Sequence, residues 1–175
     1  MDDSALIEEC LSGNVRSQKT LFEKFAPKML GVCMRYCRSK EQAEDVLQDG
    51  FIKVFGKLSE FKQEGSFEGW IRKIMVNTAL DTLRKEMKIS NDVDLELAGN
   101  KMESETVLAD LSAGELLGLI SSMPDGYRTV FNMFAIEGYS HYEIAENLGI
   151  TENTSKSQFS RARAYLRKKI EEVEN

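Results

Sequence analysis

YSHYEIAENLGITENTSKSQFSRARAYLRKKI, running from Tyr139 to Ile170, decides how this chain is read. Ser140 is followed three residues later by Glu143, the pattern of a capping box at a helix start. Ile144, Ala145 and Leu148 recur at helical spacing and predict one buried face. Gly149 is placed to end that helix, because glycine adopts the left-handed conformation of a helix terminus without steric cost. Ile150 plugs the corner, and Thr151 is a second N-cap for a helix beginning at Glu152. Short helix, glycine turn and second helix make a helix-turn-helix, whose second member usually lies in the major groove. That second helix carries Asn153, Thr154, Lys156, Ser157, Gln158, Arg161 and Arg163, followed by Arg167, Lys168 and Lys169, against one acid, Glu152. Asn, Gln and Arg reach base edges, while Lys, Ser and Thr hold phosphates. A basic amphipathic helix alone is more often a solvated surface. The glycine turn with caps in register on both sides is what points to DNA.

Working outward, a helical pattern over Val107–Met123 has Leu108, Leu111, Leu116, Leu117 and Ile120 as its apolar stripe. Pro124 suits the first turn of the next helix, through about Glu137, with Tyr127, Val130, Phe131, Phe134 and Ile136 inward and Gly138 as the stop. Ser90–Glu105 is polar and acidic with no period, the composition of a linker. The expected fold is all-α: two small helical domains, residues 1–88 and 106–175, joined by a flexible linker over 89–105.

In the first half, Asp2–Leu11 reads as a short helix ended by Ser12-Gly13, and Val15–Arg38 as a longer one with a kink or break expected at Pro27. Ser39 to Gln42 forms a capping-box pattern opening a helix through Leu58. Ala43, Val46, Leu47, Phe51, Val54, Phe55 and Leu58 line its apolar side. Asp45, Gln48 and Asp49, at i, i+3 and i+4, share the wet side. Gly50 and Gly56 each cost roughly 1 kcal/mol against Ala in a helix, and permit close packing in return. Ser59–Gly69 reads as a loop bearing two exposed-type aromatics, Phe61 and Phe67, and Ser66 caps a helix over Phe67–Lys88. Arg72, Lys73, Arg84, Lys85 and Lys88 make much of that helix basic, and Asn77, Thr78 and Asp81 lie along one side. An aromatic loop feeding a basic helix suits single-stranded nucleic acid, since bases stack while cations track the backbone. Ordinary core packing is the alternative for all three aromatics, and the preferred one for Trp70.

Bulk properties narrow the function classes. The chain has 175 residues, 42% hydrophobic and 30% charged, without an apolar run long enough to span a bilayer. Its acidic start, MDDSALIEEC, lacks a signal peptide's basic region, which implies a cytoplasmic protein with reduced thiols at Cys10, Cys33 and Cys37. Cys33 and Cys37 are one turn apart, but the single histidine, His141, is distant and no CxxC pair exists. Buried free thiols are expected, with no metal, no cofactor and no small-molecule substrate. A net charge of −6 with local basic helices implies weak DNA affinity alone and acidic surface for a protein partner.

Together these pieces resemble the extracytoplasmic-function (ECF) group of the bacterial sigma-70 family, whose members have regions 2 and 4 joined by a linker. AEDVLQDGFIKVF (Ala43–Phe55) looks like the region 2 helix that docks on core RNA polymerase, and FEGWIRKIMVNTALDTLRKE (Phe67–Glu86) like the helix that reads the melted −10 element. MPDGYRTVF (Met123–Phe131) and Glu137–Arg167 look like region 4, which reads the −35 element. The resemblance implies that Asp45, Gln48 and Asp49 meet the polymerase clamp coiled coil. It implies that Phe61, Ser66, Phe67, Arg72, Lys73, Asn77 and Asp81 handle the −10 strand, Asn77 beside a flipped base. It also implies that Asn153, Thr154, Lys156, Ser157, Gln158, Arg161 and Arg163 handle the −35 duplex, with the polymerase flap as region 4's further partner. Gln158 falls where Arg is often found, and Ser155 where the family usually has Val, with Phe159 as a candidate to fill that corner. A sigma factor is not an enzyme, is monomeric when free, and is expected to be held by an anti-sigma factor. The main alternative is a helix-turn-helix regulator that acts without polymerase, residues 1–88 serving as a sensor or dimerisation domain. An enzyme and a pure adaptor are disfavoured, the first by the lack of a catalytic constellation and the second by the Lys156–Arg163 set.

Overall fold

Side-chain caps start several of the helices. In the computed structural model, which describes residues 3–89 and 112–174, every regular element among the described residues is a helix. They belong to two units, Met1–Asp92 and Val93–Asn175. The stretch read as a linker lies largely outside the described residues, as do the predicted helix start at Val107 and its Leu108 and Leu111.

The first unit holds α1 (Asp3–Leu11), α2 (Val15–Tyr36), α3 (Lys40–Gly56), a 3-10 turn (Leu58–Glu60) and α4 (Phe67–Ile89). Asn14 caps α2, its side-chain oxygen accepting from the N–H groups of Arg16 and Ser17 at 3.0 and 3.3 Å. Helices α2, α3 and α4 pack against one another, and α1 lies on α2 and the 3-10 turn. Leu21, Met29, Cys33, Tyr36, Val54, Ile71 and Met75 form the buried centre. Of the kink or break expected at Pro27, the break does not occur: α2 is continuous through it. Proline forfeits one helical hydrogen bond, but here its ring faces solvent while Phe25, Ala26 and Met29 bury the opposite side and hold the helix together.

The Ser39 capping pattern is half realised. Ser39 Oγ accepts from Gln42 N–H at 3.2 Å, but the Gln42 carbonyl takes the N–H of Arg38, at 2.8 Å, and its amide donates to Glu86 on α4. Gly50 does allow close packing. A methyl group there would collide with the buried Met75 thioether of α4, which occupies the space that a side chain at position 50 would take. No disulfide joins the three cysteines, and all three are buried. Burial, and then Cys37 alongside, pushes the Cys33 thiol up to about 12, so it stays protonated and unreactive near neutral pH.

The second unit holds α5 (Ala113–Ser122), α6 (Asp125–Phe131), a π-helical turn (Asn132–Ile136), α7 (His141–Leu148) and α8 (Glu152–Glu174). Ser112 and Glu115 form a complete capping box at α5. Pro124 sits at the N-cap of α6, one residue earlier than its expected place in the first turn. Ile120, Met123, Phe131, Ala162 and Leu166 make the apolar cluster, with Leu116, Tyr127, Phe159 and Tyr165 around it. The π turn corrects the expected inward set. Glu137 N–H reaches back five residues to Asn132 O at 2.9 Å. The additional residue turns the face by about 100°, so Met133 and Asn132 are buried while Ile136 is 37% exposed. Arg128, on paper a surface charge, is only 2% exposed; it donates to Asp125 at 2.8 Å and to Ser121 O at 3.2 Å.

The glycines of α2 and α3 make opposite predictions. Gly31 has open space around its Cβ position, so Gly31→Ala is expected to stabilise the protein by roughly 0.5–1 kcal/mol. Gly50→Val is expected to destabilise it by about 2 kcal/mol through overpacking. Denaturant unfolding of the two variants checks the difference in sign.

Candidate nucleic-acid and polymerase interfaces

The helix-turn-helix is built as its caps require. Ser140 Oγ accepts from Glu143 N–H at 3.2 Å while Glu143 accepts from Ser140 N–H at 2.8 Å. Gly149 has φ of 67°, the left-handed conformation, and Ile150 N–H closes the turn onto Ala145 O at 3.1 Å. Thr151 Oγ1 accepts from Thr154 N–H at 3.0 Å and starts α8. Ala162, Leu166 and Ile170 turn inward. Asn153, Thr154, Lys156, Ser157 and Arg163 are exposed on the opposite side and Arg161 is half-buried. Lys156 is 3.6 Å from Glu152 in an exposed, solvent-screened pair.

Two residues of α8 make contacts of their own with α6 and α7. The Gln158 amide packs against α6 at Gly126, with its oxygen buried and without a hydrogen-bond partner, so this rotamer does not present it to DNA. Ser155 is 0% exposed, and its hydroxyl lies 2.8 Å from His141 Nδ1 on α7. The His141 ring stacks on Phe134 at 4.3 Å, and Phe159 packs on Phe134 at 4.6 Å, filling the corner as expected of it. Burial, and then Lys156, lower the histidine's pKa, with Glu152 pulling the other way.

At the head of α4, Ser66 Oγ accepts from Gly69 N–H at 3.2 Å and caps the helix. Phe67 was expected at the surface but is only 5% exposed, because its ring packs edge-on to Phe25 of α2 at 5.5 Å. Phe61 and Trp70 are half-buried, 5.4 Å apart, and present the remaining aromatic surface. The loop between them turns at Gln63 and Gly65, both with positive φ. Lys73 and Asn77 are exposed one turn apart on α4, with Arg72 half-buried beside them. Asp81, one turn beyond Asn77, is occupied: it pairs with Lys53 of α3 at 3.3 Å and Arg84 at 2.9 Å, bracing α3 to α4.

On α3, Asp45, Gln48 and Asp49 are all exposed on one face, with Glu41 and Glu44 alongside. Ile52 sits one turn beyond Gln48 and is 70% exposed, an apolar side chain on a face otherwise polar and acidic. The sequence reading passed over it, although its position in the helical period, out of the apolar stripe, is visible there.

Residues 21–89 match the family model for Sigma-70 region 2, and residues 113–166 the model for Sigma-70, region 4. The chain belongs to the sigma-70 family. Among its relatives, the RNA polymerase sigma-H factor of Pseudomonas aeruginosa is 29% identical, over 97% of this chain and 94% of that one. The ECF RNA polymerase sigma factor SigW of Bacillus subtilis is 26% identical, over 95% and 96%. The fold is similar to that of the sigma factor RpoE solved in complex with the anti-sigma factor NepR from Bartonella quintana. That match has a TM-score of 0.54 and 20% identity, covering 92% of this chain and 100% of that one. In this sigma factor the region 2 match contains the α3 face and the α4 head, and the region 4 match contains the helix-turn-helix. Helix α1 lies outside both.

A buried amide oxygen without a partner costs about 1–3 kcal/mol. Gln158→Met, which removes it while keeping the side chain's length, is therefore expected to raise the stability of the second unit by about 1 kcal/mol. Thermal unfolding of the variant measures this, and a loss of stability would restore a polar role to Gln158.

Proposed function

We infer that this chain is an ECF-type sigma factor that binds core RNA polymerase and directs promoter-specific initiation. The observation that carries it is the pairing, in one chain and in the family's order, of an acidic docking face on α3 with a DNA-facing helix-turn-helix. Asp45, Gln48 and Asp49 meet a basic surface of the polymerase clamp coiled coil, and Ile52 supplies the apolar anchor among them. A desolvated anchor ringed by polar contacts is the usual anatomy of an interface hot spot. Lys73, Arg72 and Asn77, with the Phe61–Trp70 rings, receive the opened −10 strand by backbone attraction and stacking. Ser66 and Phe67 shape that receptor from beneath, as cap and packed ring, and Asp81 braces it. On region 4, Asn153, Lys156, Ser157 and Arg161 face the −35 duplex, with Thr154 and Arg163 at its phosphates. Gln158 supports α8 from inside, and the polymerase flap is this region's protein partner.

The free factor binds DNA weakly, since its net charge is −6 and phosphate attraction is confined to local basic faces. Catalysis belongs to the polymerase, and the factor itself contributes no enzyme activity. Its place is the cytoplasm, as a monomer until it meets polymerase. The solved relatives RpoE and CnrH are held by NepR and by the cytosolic domain of CnrY, and an anti-sigma factor covering the same faces is the corresponding partner here.

Reconstitution with core polymerase tests the reading. Promoter-specific transcription is expected from the holoenzyme, and none from either component alone. Asp45→Arg combined with Gln48→Ala should abolish co-purification with core polymerase while circular dichroism stays unchanged. Ile52→Ala should weaken that binding about tenfold or more, the scale of a hot-spot truncation. Unchanged co-purification of the double variant would remove the docking assignment, and strong polymerase-free binding to promoter duplex would favour an independent regulator.

A further inference from the structure

We propose that the His141–Ser155 hydrogen bond positions the DNA-reading helix, and that His141 takes up a proton as the promoter binds. The proposal rests on reading α8 as the −35 helix. Its geometry is independent of that reading. Ser155 is buried in the seam between α7 and α8, and its hydroxyl meets His141 Nδ1 at 2.8 Å. Leaving a buried hydroxyl without its partner is unfavourable, so the pose of α8 that makes this bond is preferred over rotations about its axis. With Ser155 held inward, Asn153, Lys156 and Ser157 point outward. The His141 ring is itself held, stacked on Phe134 at 4.3 Å with the Phe159 ring edge-on at 6.0 Å. An apolar residue at position 155 would fill the seam without selecting a direction. A hydrogen bond selects one.

The same bond connects the seam to charge on the DNA side. The charged groups that face His141 are Lys156 and Glu152, both on α8, while the π turn presents the uncharged Phe134. In the free protein, burial and the Lys156 cation keep the proton off the ring. A phosphate drawn to Lys156 cancels that repulsion and favours the imidazolium. The bond is compatible with both protonation states: in the neutral ring Nδ1 accepts from or donates to the serine hydroxyl according to the tautomer, and in the imidazolium it donates to the serine oxygen. Promoter affinity therefore rises as pH falls through the histidine range. Folding stability moves the other way. A histidine whose pKa is lowered by folding takes up its proton more readily when unfolded, so stability is lost as pH falls below 6.5, the ordinary value. The two opposite slopes separate a positioning role from a merely structural one.

The test uses holoenzyme reconstituted from the full chain and core polymerase, and promoter fragments with a matched or a scrambled −35 element. The readouts are the affinity for the matched fragment between about pH 6 and pH 8, the range in which histidine titrates, and the ratio of the two affinities as the measure of discrimination. For the natural chain the matched-fragment affinity is expected to rise about threefold to tenfold toward the acid end. His141→Asn places an amide where Nδ1 stood and does not titrate; it should keep most of the discrimination with a flat profile. His141→Ala and Ser155→Ala should each lose discrimination about tenfold, and the double variant should lose no more, as expected for partners in one interaction. A natural pH profile retained by His141→Asn, or additive losses in the double variant, would overturn the proposal. The asparagine variant decides even where His141→Ala fails to fold. Absence of any −35 discrimination in the natural chain would overturn the reading of α8 and this proposal with it. Discrimination with a flat natural profile would overturn the proton linkage alone.

Discussion

The close approach of α3 to α4 is the contact on which region 2 depends. At that seam position 50 has no side chain, and the Met75 thioether occupies the space. The Lys53–Asp81 pair reinforces the same seam from the outside. Once the two helices are set at this separation, their outer faces are set too. Asp45, Gln48, Asp49 and Ile52 stand on one, and Lys73 and Asn77 on the other. The acidic face of α3 and the Lys73–Asn77 face of α4 thus share one packed support within the first unit.

Region 4 solves a different problem with one helix that serves twice. α8 is both a core element, through Ala162, Leu166 and Ile170, and the DNA-facing element, through its first two turns. Its roll must therefore satisfy the core and the groove together. The apolar cluster with Ile120, Met123 and Phe131 holds the middle of the helix. Nearer the start, the seam contains a serine, a histidine and stacked rings. The π turn before α7 belongs to this arrangement, because it contributes Phe134, on which the histidine stacks.

Charge is distributed to suit the division of labour. The total is −6, yet the acids of α3 and the bases of α8 lie on different units. Charge attraction acts over distances shorter than the screening length, so the local sign of each face counts for more than the total.

The sequence by itself determined what depends on neighbours along the chain. The Ser140–Glu143 box, the Gly149 turn, the Thr151 cap and the wet side of α3 are local matters of dihedral preference and helical period, and each was legible. The family followed from the order of these elements. What only the tertiary structure decided depends on what lies across from a residue. Phe67 is covered because Phe25 of another helix faces it, Asp81 is occupied because Lys53 reaches it, and Gln158 turns inward because Gly126 leaves room. Ile136 came out of the core because a single π turn shifts the phase of everything before the next cap. Ser155 looked like a misfit at an apolar position, and its partner, fourteen residues away, could be found only by folding the two helices together. Helical period tells which side of a helix is apolar, but the side chain opposite belongs to another helix, and only packing brings the two together.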